Sequence, residues 1–546
     1  MQENSSLPYV MYGYLALLFV GLPLYMQYGL DMIGDAKYFF FRNCTLICGG
    51  MLLLILLWEK VTGVAAKRSG TINKRSETIS KWPELIIKMP ERMGRRLKPL
   101  DVAVLAYSLT TTISYILSPY KETALWGYAD WHMGWISQLL FCGIYFSCRF
   151  FYKETKMMWI LVEIAVCIVM LIGVMNRFGM DPLGVYAGME AGEWNRQYLL
   201  STVGNNNWYA GYVNVLAGIF FAAMCREKGI QRILGGIGTA LYYATTLTMG
   251  SMTGILAAIV ISIFLMILSL DSRKELLQAL EAVFLFPLMA VVLRGLSSIT
   301  KRSITVPEKI EKVILYSRFW YVLLLAAGIG IIILGYREKR KKRDFLKSRN
   351  YRKKLLLAAG LILGLGILAG IGILEMVSPE ELAVSVGETS VFSRLLQASN
   401  GRLALWKGTL EVFGDATVSQ KIFGVGSDCY YHALYLQSDL GTAWMEKGIL
   451  ENAVYANAHN EWLNLLITGG LAGAAGYGLI FGTALHSLAK RINTENVSMA
   501  VFLCVVGYFV CSFFTFQQVM STPFLFAVLG MTEAGKDENI VVTLSL

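Results

Sequence analysis

The sequence predicts an all-α polytopic membrane protein, and three observations support that fold class. Of the 546 residues, 55% are hydrophobic, and the mean hydropathy of +0.52 is well above that of soluble domains. Many apolar runs reach the ~20 residues that a helix needs to cross a ~30 Å hydrocarbon core. Because backbone groups in lipid must be bonded within their own segment, we expect these runs to be helices.

We expect about 14 transmembrane helices (roughly 12–14) and a large, partly helical outer loop. The expected helices start near Val10, Asn43, Asp101, His132, Met157, Asn207, Ile233, Thr253, Ala279, Leu315, Leu355, Glu461, Ser498 and Ser521. Only the segment 248–252 separates the seventh from the eighth. That pair is therefore either one helical hairpin or a partly re-entrant element.

Basic residues predict which loops face the cytoplasm. Ten Lys and Arg residues lie in segment 65–100 and eleven in segment 337–354, and the other basic loops alternate with them. The positive-inside rule makes these loops cytoplasmic and both termini internal. The net charge of +11 is therefore mainly a topology signal, with some attraction to anionic lipid. No nucleic acid partner is expected, since no basic folded domain with groove-reading elements is evident.

The chain divides into an N-terminal set of membrane helices (1–190, with the basic loop 65–100), a second membrane domain (190–535) and a short tail (536–546). The N-terminus lacks a basic n-region and a small-residue cleavage site, so the first apolar stretch is expected to remain as a span. Eight of the nine cysteines lie in or beside predicted helices, with no disulfide or zinc spacing. They are interpreted as small apolar residues.

Candidate functional residues concentrate in the outer segments, above all in the long loop 376–460. This loop is too rich in aromatic residues to be a disordered tract. His459, one of only four histidines, lies where the loop ends and an apolar helix begins, with Asn460 next to it. A histidine at the membrane edge is a candidate proton-transfer group for a lipid-borne substrate, although it could simply solvate a helix end.

Two arginines of the outer segments are candidate anion-binding residues. Residues 399–413 predict an amphipathic helix lying in the membrane interface, with Asn400 as its N-cap and Arg402 in its first turn. Free N–H groups and a guanidinium there suit a diphosphate, but Arg402 could also snorkel to the headgroups. Arg196 lies shortly before the sixth span, which Asn207 is expected to cap, and could equally be a solvated loop residue.

Taken together, these segments resemble the O-antigen ligase and O-antigen polymerase superfamily of bacterial integral-membrane glycosyltransferases. The resemblance covers roughly residues 190–535 and rests on three motifs in the same order. They are Arg196 with Gly204-Asn205-Asn206-Asn207, Arg402-x-x-x-Trp406 with Gly424-Val425-Gly426, and His459-Asn460 followed after nine residues by Gly470-x-x-Gly473. Three departures occur: Asn206 stands in the place of a proline in the first motif, Ala474-Ala475-Gly476 follows the last motif in place of Thr-Gly, and Met252 replaces the arginine of a central Ser-Arg-Thr.

The resemblance implies a glycosyltransferase at the outer face of the cytoplasmic membrane, in surface polysaccharide biosynthesis. Its implied donor is a polyprenyl-diphosphate-linked glycan, and its implied acceptor a glycan, a lipid or a wall polymer. By carry-over, Arg196 and Arg402 hold the diphosphate, His459 is the catalytic residue that orients or deprotonates the acceptor hydroxyl, and Asn460 supports it. No cofactor is expected, and the absence of an Asp-x-Asp pair in the outer segments predicts metal-independent catalysis. Arg294 or Arg318 could replace the missing central arginine.

Three functions remain open at this point. A polymerase adds the glycan repeatedly to carrier-linked units, whereas a ligase adds it once to a different acceptor. The altered last motif slightly favours a polymerase. A flippase for lipid-linked glycans would share the span count but would place charges along a cavity through the bilayer. The outer position of the candidate charges favours an enzyme.

Overall fold

The computed structural model describes residues 6–27, 29–69, 97–190, 194–307, 309–339, 402–438 and 455–534. Helices make up most of these residues. In chain order they are α1 Leu7–Leu24, α2 Ile33–Ser69, α3 Pro99–Leu117, α4 Lys121–Trp126, α5 Trp135–Phe151, α6 Lys156–Arg177, α7 Trp194–Tyr198, α8 Asn206–Arg226, α9 Ile230–Thr248, α10 Met252–Leu268, α11 Arg273–Thr300, α12 Lys309–Tyr316, α13 Phe319–Lys339, α14 Arg402–Asp415, α15 Val418–Phe423, α16 Tyr430–Leu436, α17 Glu461–Thr468, α18 Gly470–Arg491, α19 Asn496–Ser512 and α20 Thr522–Glu533. Strands β1 (Leu199–Leu200) and β2 (Gly204–Asn205) form a short antiparallel ribbon before α8.

Eight of the described helices are long and apolar enough to cross a bilayer: α1, α2, α3, α6, α8, α11, α13 and α18. The helices α5, α10 and α19 are apolar but shorter. The chain is therefore a multi-pass α-helical membrane protein, as the composition predicts. The expected span near Leu355 and the predicted cap Asn400 lie outside the described residues, so the expected number of about 14 spans stays a prediction.

Most expected starts agree with the structure to within a few residues, and three differences have physical causes. Helix α2 starts at Ile33, ten residues before the expected Asn43, because its first turns pack against the end of α1. Residues 249–251 separate α9 from α10, so this pair is a helical hairpin. The span expected from Glu461 is broken: α17 has 8 residues, about 12 Å, too short to cross a bilayer.

Ionic contacts gather one set of helix ends, here called the basic end. The start of α3 meets the ends of α5 and α20, since Asp101 pairs with Arg149 at 3.5 Å and Lys98 with Glu533 at 3.1 Å. The end of α8 meets the start of α11 through Arg226 and Glu275, 2.9 Å apart. The loops that border these ends are those with the predicted cytoplasmic charges.

Polar contacts gather the opposite set of helix ends, here called the site end. The end of α3 reaches α17, because the Ser114 hydroxyl donates to the Thr468 carbonyl at 2.8 Å. The start of α2 meets the α4–α5 loop, where His132 Nε2 lies 2.6 Å from Asp35 Oδ1. Successive loops therefore lie alternately at the basic end and at the site end, in agreement with the prediction. Which end faces the cytoplasm remains a prediction from the positive-inside rule.

Small residues allow α8 and α19 to pack closely at the centre of the bundle. A Cβ added at Gly218 would collide with the Ala500 carbonyl oxygen and lie 2.7 Å from the Cys504 nitrogen. At Gly507 on the facing helix a Cβ would meet the backbone of Asn214. Close backbone approach through glycine is a common way for membrane helices to associate.

We predict that Gly218→Ala destabilises the protein, because α8 and α19 must separate to admit the new methyl group. Overpacking of this kind typically costs about 1–3 kcal/mol. The measurement is thermal unfolding in detergent, with Gly236→Ala as the control, since a Cβ there meets no atom within 4 Å. Equal unfolding temperatures for the two variants would contradict the packing described for α8 and α19.

Topology can be tested with cysteine labelling, but not at the native Cys429 of the outer loop. That thiol is buried, and burial raises its pKa to about 12, so it should not react with polar maleimides. The exposed positions Ser419, at the site end, and Glu154, at the basic end, are better probes. We predict that Ser419→Cys is labelled in intact cells and Glu154→Cys only after permeabilisation, with the unsubstituted protein as background. The reverse pattern would overturn the predicted orientation.

Candidate functional site

Two glycine-rich motifs of the sequence lie against each other at the site end. The Val425 and Gly426 N–H groups donate to the carbonyls of Ile467 and Thr468, both at 3.0 Å, where α17 ends. Gly424 and Gly470 have φ of +76° and +65°, and a Cβ on either would collide with the opposite backbone. Glycine is therefore required on both sides of this contact. The contact explains why the chain breaks between α17 and α18.

The turn before α17 holds His459 in an unusual backbone conformation. The Asn460 side chain caps α17 and accepts the N–H groups of Trp462 and Leu463 at 3.0 and 3.1 Å. His459 itself has φ of +46°, and its N–H donates to Asn457 Oδ1 at 3.1 Å. A non-glycine residue in this region is strained, and such strain is common at functional sites. Asn460 thus has a structural role as a helix cap, and it determines where His459 lies.

The His459 imidazole lies among aromatic rings beside a cation. Its ring centroid is 5.5 Å from that of Phe516 and 6.2 Å from that of Tyr455, both in edge-to-face geometry. Burial, and to a smaller extent the positive charge of Arg402, lower the pKa of His459 to about 4. His459 is therefore neutral at physiological pH and able to accept a proton.

Arg402 is the first residue of α14, as the sequence predicts. Two hydrogen bonds hold this helix to the site end: Trp406 Nε1 donates to the Ala458 carbonyl at 3.1 Å, and the Thr409 and Tyr430 hydroxyls lie 2.6 Å apart. The helix face that it buries carries Leu405, Thr409 and Val412. This helix packs on α16 and α17.

Arg196 lies in the short helix α7, apart from the Arg402–His459 pair. Its Nη1 donates to the Met189 carbonyl at 3.0 Å, and its guanidinium lies 5.6 Å from the centre of the Tyr186 ring. Among the described contacts, none joins Arg196 to His459 or Arg402. The structure therefore brings two of the three predicted charged residues together and leaves the third on the neighbouring loop.

The Asn205–Asn207 stretch organises the start of α8 differently from the sequence prediction. Asn205, not Asn207, is the N-cap, because its side chain accepts the Asn207 N–H at 2.8 Å. Asn206 donates to the Gly250 carbonyl, and the Ser251 hydroxyl donates to Asn207 Oδ1 at 2.9 Å. Asn206 and Asn207 thus join α8 to the α9–α10 turn.

Aromatic rings connect the start of α8 with His459. Trp208 packs edge-on against Trp131 at 5.6 Å, and Trp131 packs against Phe516 at 4.7 Å, which in turn touches His459. Trp131 belongs to the α4–α5 loop, in the N-terminal part of the chain. Because this contact depends on tertiary structure alone, sequence reasoning could not identify Trp131.

The structure also shows where the other candidate arginines lie. Met252, at the position of the missing central arginine, is 44% exposed on the outside of α10. Arg294 donates to the carbonyls of Tyr316 and Ser317, each at 3.3 Å, and so holds the α12–α13 junction to α11. Arg318 is exposed, and no described contact joins it or Arg294 to His459.

One arginine at the site end was missed by sequence reasoning. Arg177, the last residue of α6, is buried and donates to the carbonyls of Met249 and Gln197 at 2.7 and 2.8 Å. It joins the α9–α10 turn to α7. The sequence did contain a signal for this residue. Arg177 lies at the end of a span, on the side where the positive-inside rule disfavours basic residues.

Two buried acids near His459 were also missed. Asp428 Oδ2 accepts the N–H groups of Tyr128 and Met133 at 2.7 and 2.9 Å. Glu461, the first residue of α17, is 2% exposed, and the Tyr508 hydroxyl lies 3.1 and 3.2 Å from its two oxygens. Burial raises the pKa of Asp428 to about 6, while the two backbone donors oppose the shift. In the sequence, Glu461 directly follows the helix cap Asn460, and this pattern does not indicate that its carboxylate is buried.

No group of three or more histidine, cysteine, aspartate or glutamate side chains that could hold a metal ion occurs among the described residues. The charged groups nearest to the candidate base are therefore a guanidinium and separate carboxylates. This arrangement can bind an anion and move a proton.

Comparison with known proteins found a family model that matches part of the chain. The family model described as O-antigen ligase matches residues 313–478, which include Arg402, the Gly424–Gly426 turn, His459 and the start of α18. No curated protein matches the chain. The matched family implies a membrane enzyme that handles lipid-linked glycans. Over residues 313–478, which are less than half of the chain, the protein is similar to the O-antigen ligase family.

Proposed function

We propose that this protein transfers a glycan from a polyprenyl diphosphate carrier to an acceptor hydroxyl at the outer face of the cytoplasmic membrane. The observation that carries the proposal is the packing of α14, which carries Arg402, against the turn of His459 through the Trp406–Ala458 hydrogen bond, within the part of the chain that matches the family. A base next to a permanent cation suits a reaction in which an alcohol attacks and a diphosphate leaves.

In the proposed reaction, the acceptor oxygen forms a bond to the anomeric carbon of the donor sugar. The bond between that carbon and the diphosphate oxygen breaks, and polyprenyl diphosphate leaves with the electron pair. The acceptor proton passes to the His459 imidazole, and Arg402 stabilises the negative charge on the leaving group. Arg196, on the adjacent loop, would contact the distal part of the diphosphate or the carrier.

We favour a polymerase over a ligase, because Ala474-Ala475-Gly476 replaces the Thr-Gly of the ligase motif. Deletion of the gene followed by mass spectrometry of carrier-linked glycans distinguishes the two. Short repeat units should accumulate in the absence of a polymerase, and long chains in the absence of a ligase. Unchanged carrier-linked glycans would contradict both.

The purified protein in liposomes, supplied with carrier-linked glycan extracted from the deletion cells, should form a glycosidic bond. Movement of the carrier across the bilayer without bond formation would show a flippase instead. We also propose that no divalent metal is needed, since arginines are permanent cations that require no ion to be recruited. Loss of product in excess EDTA that returns with Mg²⁺ would contradict this.

We predict that His459→Ala reduces transfer by roughly 10²–10⁴-fold, the usual contribution of a general base. The matched control is His432→Ala, a half-buried histidine whose ring centroid lies 4.3 Å from that of Tyr120 in a tilted arrangement. The control should retain transfer. Wild-type turnover by purified His459→Ala would remove His459 from the mechanism.

The pH dependence of the wild-type rate offers a second test of His459. With its pKa lowered to about 4, the imidazole stays neutral as pH falls through 6.5, the ordinary value, and is protonated only near 4. We therefore predict no loss of rate attributable to His459 between about pH 8 and 5. If the rate falls near pH 6.5 in the wild type but not in a His459 variant with residual activity, the imidazole is not held as described.

We predict that Arg402→Lys weakens donor use more than Arg196→Lys, because only Arg402 lies beside His459 in the structure. Lysine keeps the charge but loses the bidentate geometry that suits a diphosphate. The measurement is donor KM and kcat for both variants, with the exposed Arg302→Lys as the control. If both constants are unchanged in Arg402→Lys, the guanidinium does not hold the diphosphate.

A further inference from the structure

A small cavity lies directly behind the aromatic rings that touch His459. Phe516 borders it and packs on the His459 ring, and Asn457, which accepts the His459 N–H, also lines it. The cavity volume is about 20 Å³. That is room for one or two water-sized groups, but not for a sugar ring.

Two buried acids line this cavity. Asp428 is 6% exposed and Glu461 is 2% exposed, and neither takes part in the ion pairs found among the described residues. A buried carboxyl without a basic partner needs hydrogen-bond donors, because its desolvation is costly.

The donors present in the described structure leave part of this requirement unmet. Both backbone N–H groups that reach Asp428 bond to Oδ2, and the structure supplies no donor to Oδ1. The Glu461 carboxyl is approached by the side chains of Tyr508, Tyr477 and Gln517. A carboxylate offers about four acceptor sites, so at least one of these stays open. The cavity therefore presents unfilled acceptor positions on side chains that are more than nine-tenths buried.

The sign of the charge determines which substrate can approach. A diphosphate would be repelled by two carboxyls in a site of low dielectric, so the donor headgroup belongs with Arg402. A hydroxyl group, by contrast, donates a hydrogen bond and fits the volume. Outside the cavity, Trp131 and Phe516 offer apolar ring surfaces against which the C–H face of a sugar can pack.

We propose that this cavity is the acceptor subsite, in which Asp428 and Glu461 accept hydrogen bonds from neighbouring hydroxyls of the acceptor sugar while its ring packs on Trp131. The inference rests on the proposed glycosyl transfer. It places the acceptor on one side of His459 and the diphosphate on the other. Asp428 and Glu461 then select a hydroxyl-rich acceptor edge, and His459 receives the proton of the attacking hydroxyl.

The test uses full-length protein in nanodiscs, preloaded with radiolabelled carrier-linked glycan extracted from the deletion cells. A solubilised envelope extract of the same cells is then added as the acceptor at increasing concentrations, and single-turnover product formation is followed. Glu461→Gln and Asp428→Asn keep the shape of each side chain and remove its charge. Asp415→Asn, an exposed acid of the same loop, is the control.

We expect both cavity variants to retain labelled donor as the wild type does, but to need about tenfold more extract for half-maximal rate, as the loss of a charge-assisted hydrogen bond predicts. His459→Ala should stay slow at every concentration. Trp131→Leu, which leaves both acids in place, should shift the extract dependence in the same direction. Trp131→Leu therefore still tests the inference if Glu461→Gln or Asp428→Asn does not fold.

Several results would overturn the inference. One is an unchanged extract dependence in all three cavity variants. Another is donor retention that falls together with product, which would place the acids on the donor side. A third is wild-type transfer that EDTA inhibits and Mg²⁺ restores, because the two acids would then be assigned to the binding of a cation. If the wild type itself forms no product, the proposed function fails, whereas wild-type transfer with unaffected variants refutes only the acceptor subsite.

Discussion

The candidate site depends on one backbone contact, between the Gly424–Gly426 turn and the break that separates α17 from α18. Two N–H groups of the turn bond to the last carbonyls of α17, and positive φ values at Gly424 and Gly470 allow the chains to approach. Side chains at either position would force the segments apart. This contact ties the segment 402–438 to the bundle and so brings α14, with Arg402, next to the turn that carries His459.

Charged groups of both signs lie near His459. The positive charge of the Arg402 guanidinium acts on the imidazole, while Asp428 and Glu461 line the cavity that the Phe516 ring borders. In a site with little water such charges have large effects, because electrostatic interactions are less screened than in solvent. In the proposed reaction, the diphosphate would therefore bind near Arg402 and the polyhydroxyl acceptor near the two acids. The same arrangement explains why the imidazole resists protonation: burial and the adjacent cation both disfavour the charged form.

The N-terminal part of the chain shapes this site although it lies outside the family match. The α4–α5 loop donates two N–H groups to Asp428 and carries Trp131, which packs between Trp208 and Phe516. Ser118, at the end of α3, donates to the Val425 carbonyl at 2.6 Å. The walls of the site thus come from segments that are hundreds of residues apart, and a fragment limited to residues 313–478 would lack one of them.

The sequence by itself determined the membrane class, most helix positions, the alternation of loops and the candidate residues Arg402 and His459. These follow from local properties: apolar length, basic loop residues, and glycine and asparagine at turns. Tertiary structure alone decided that the span expected from Glu461 is broken, that Asn205 rather than Asn207 caps α8, and that Arg196 lies apart from His459. It also decided that Glu461 and Asp428 are buried beside the base. Burial and through-space partners depend on contacts between distant segments, which no local pattern encodes.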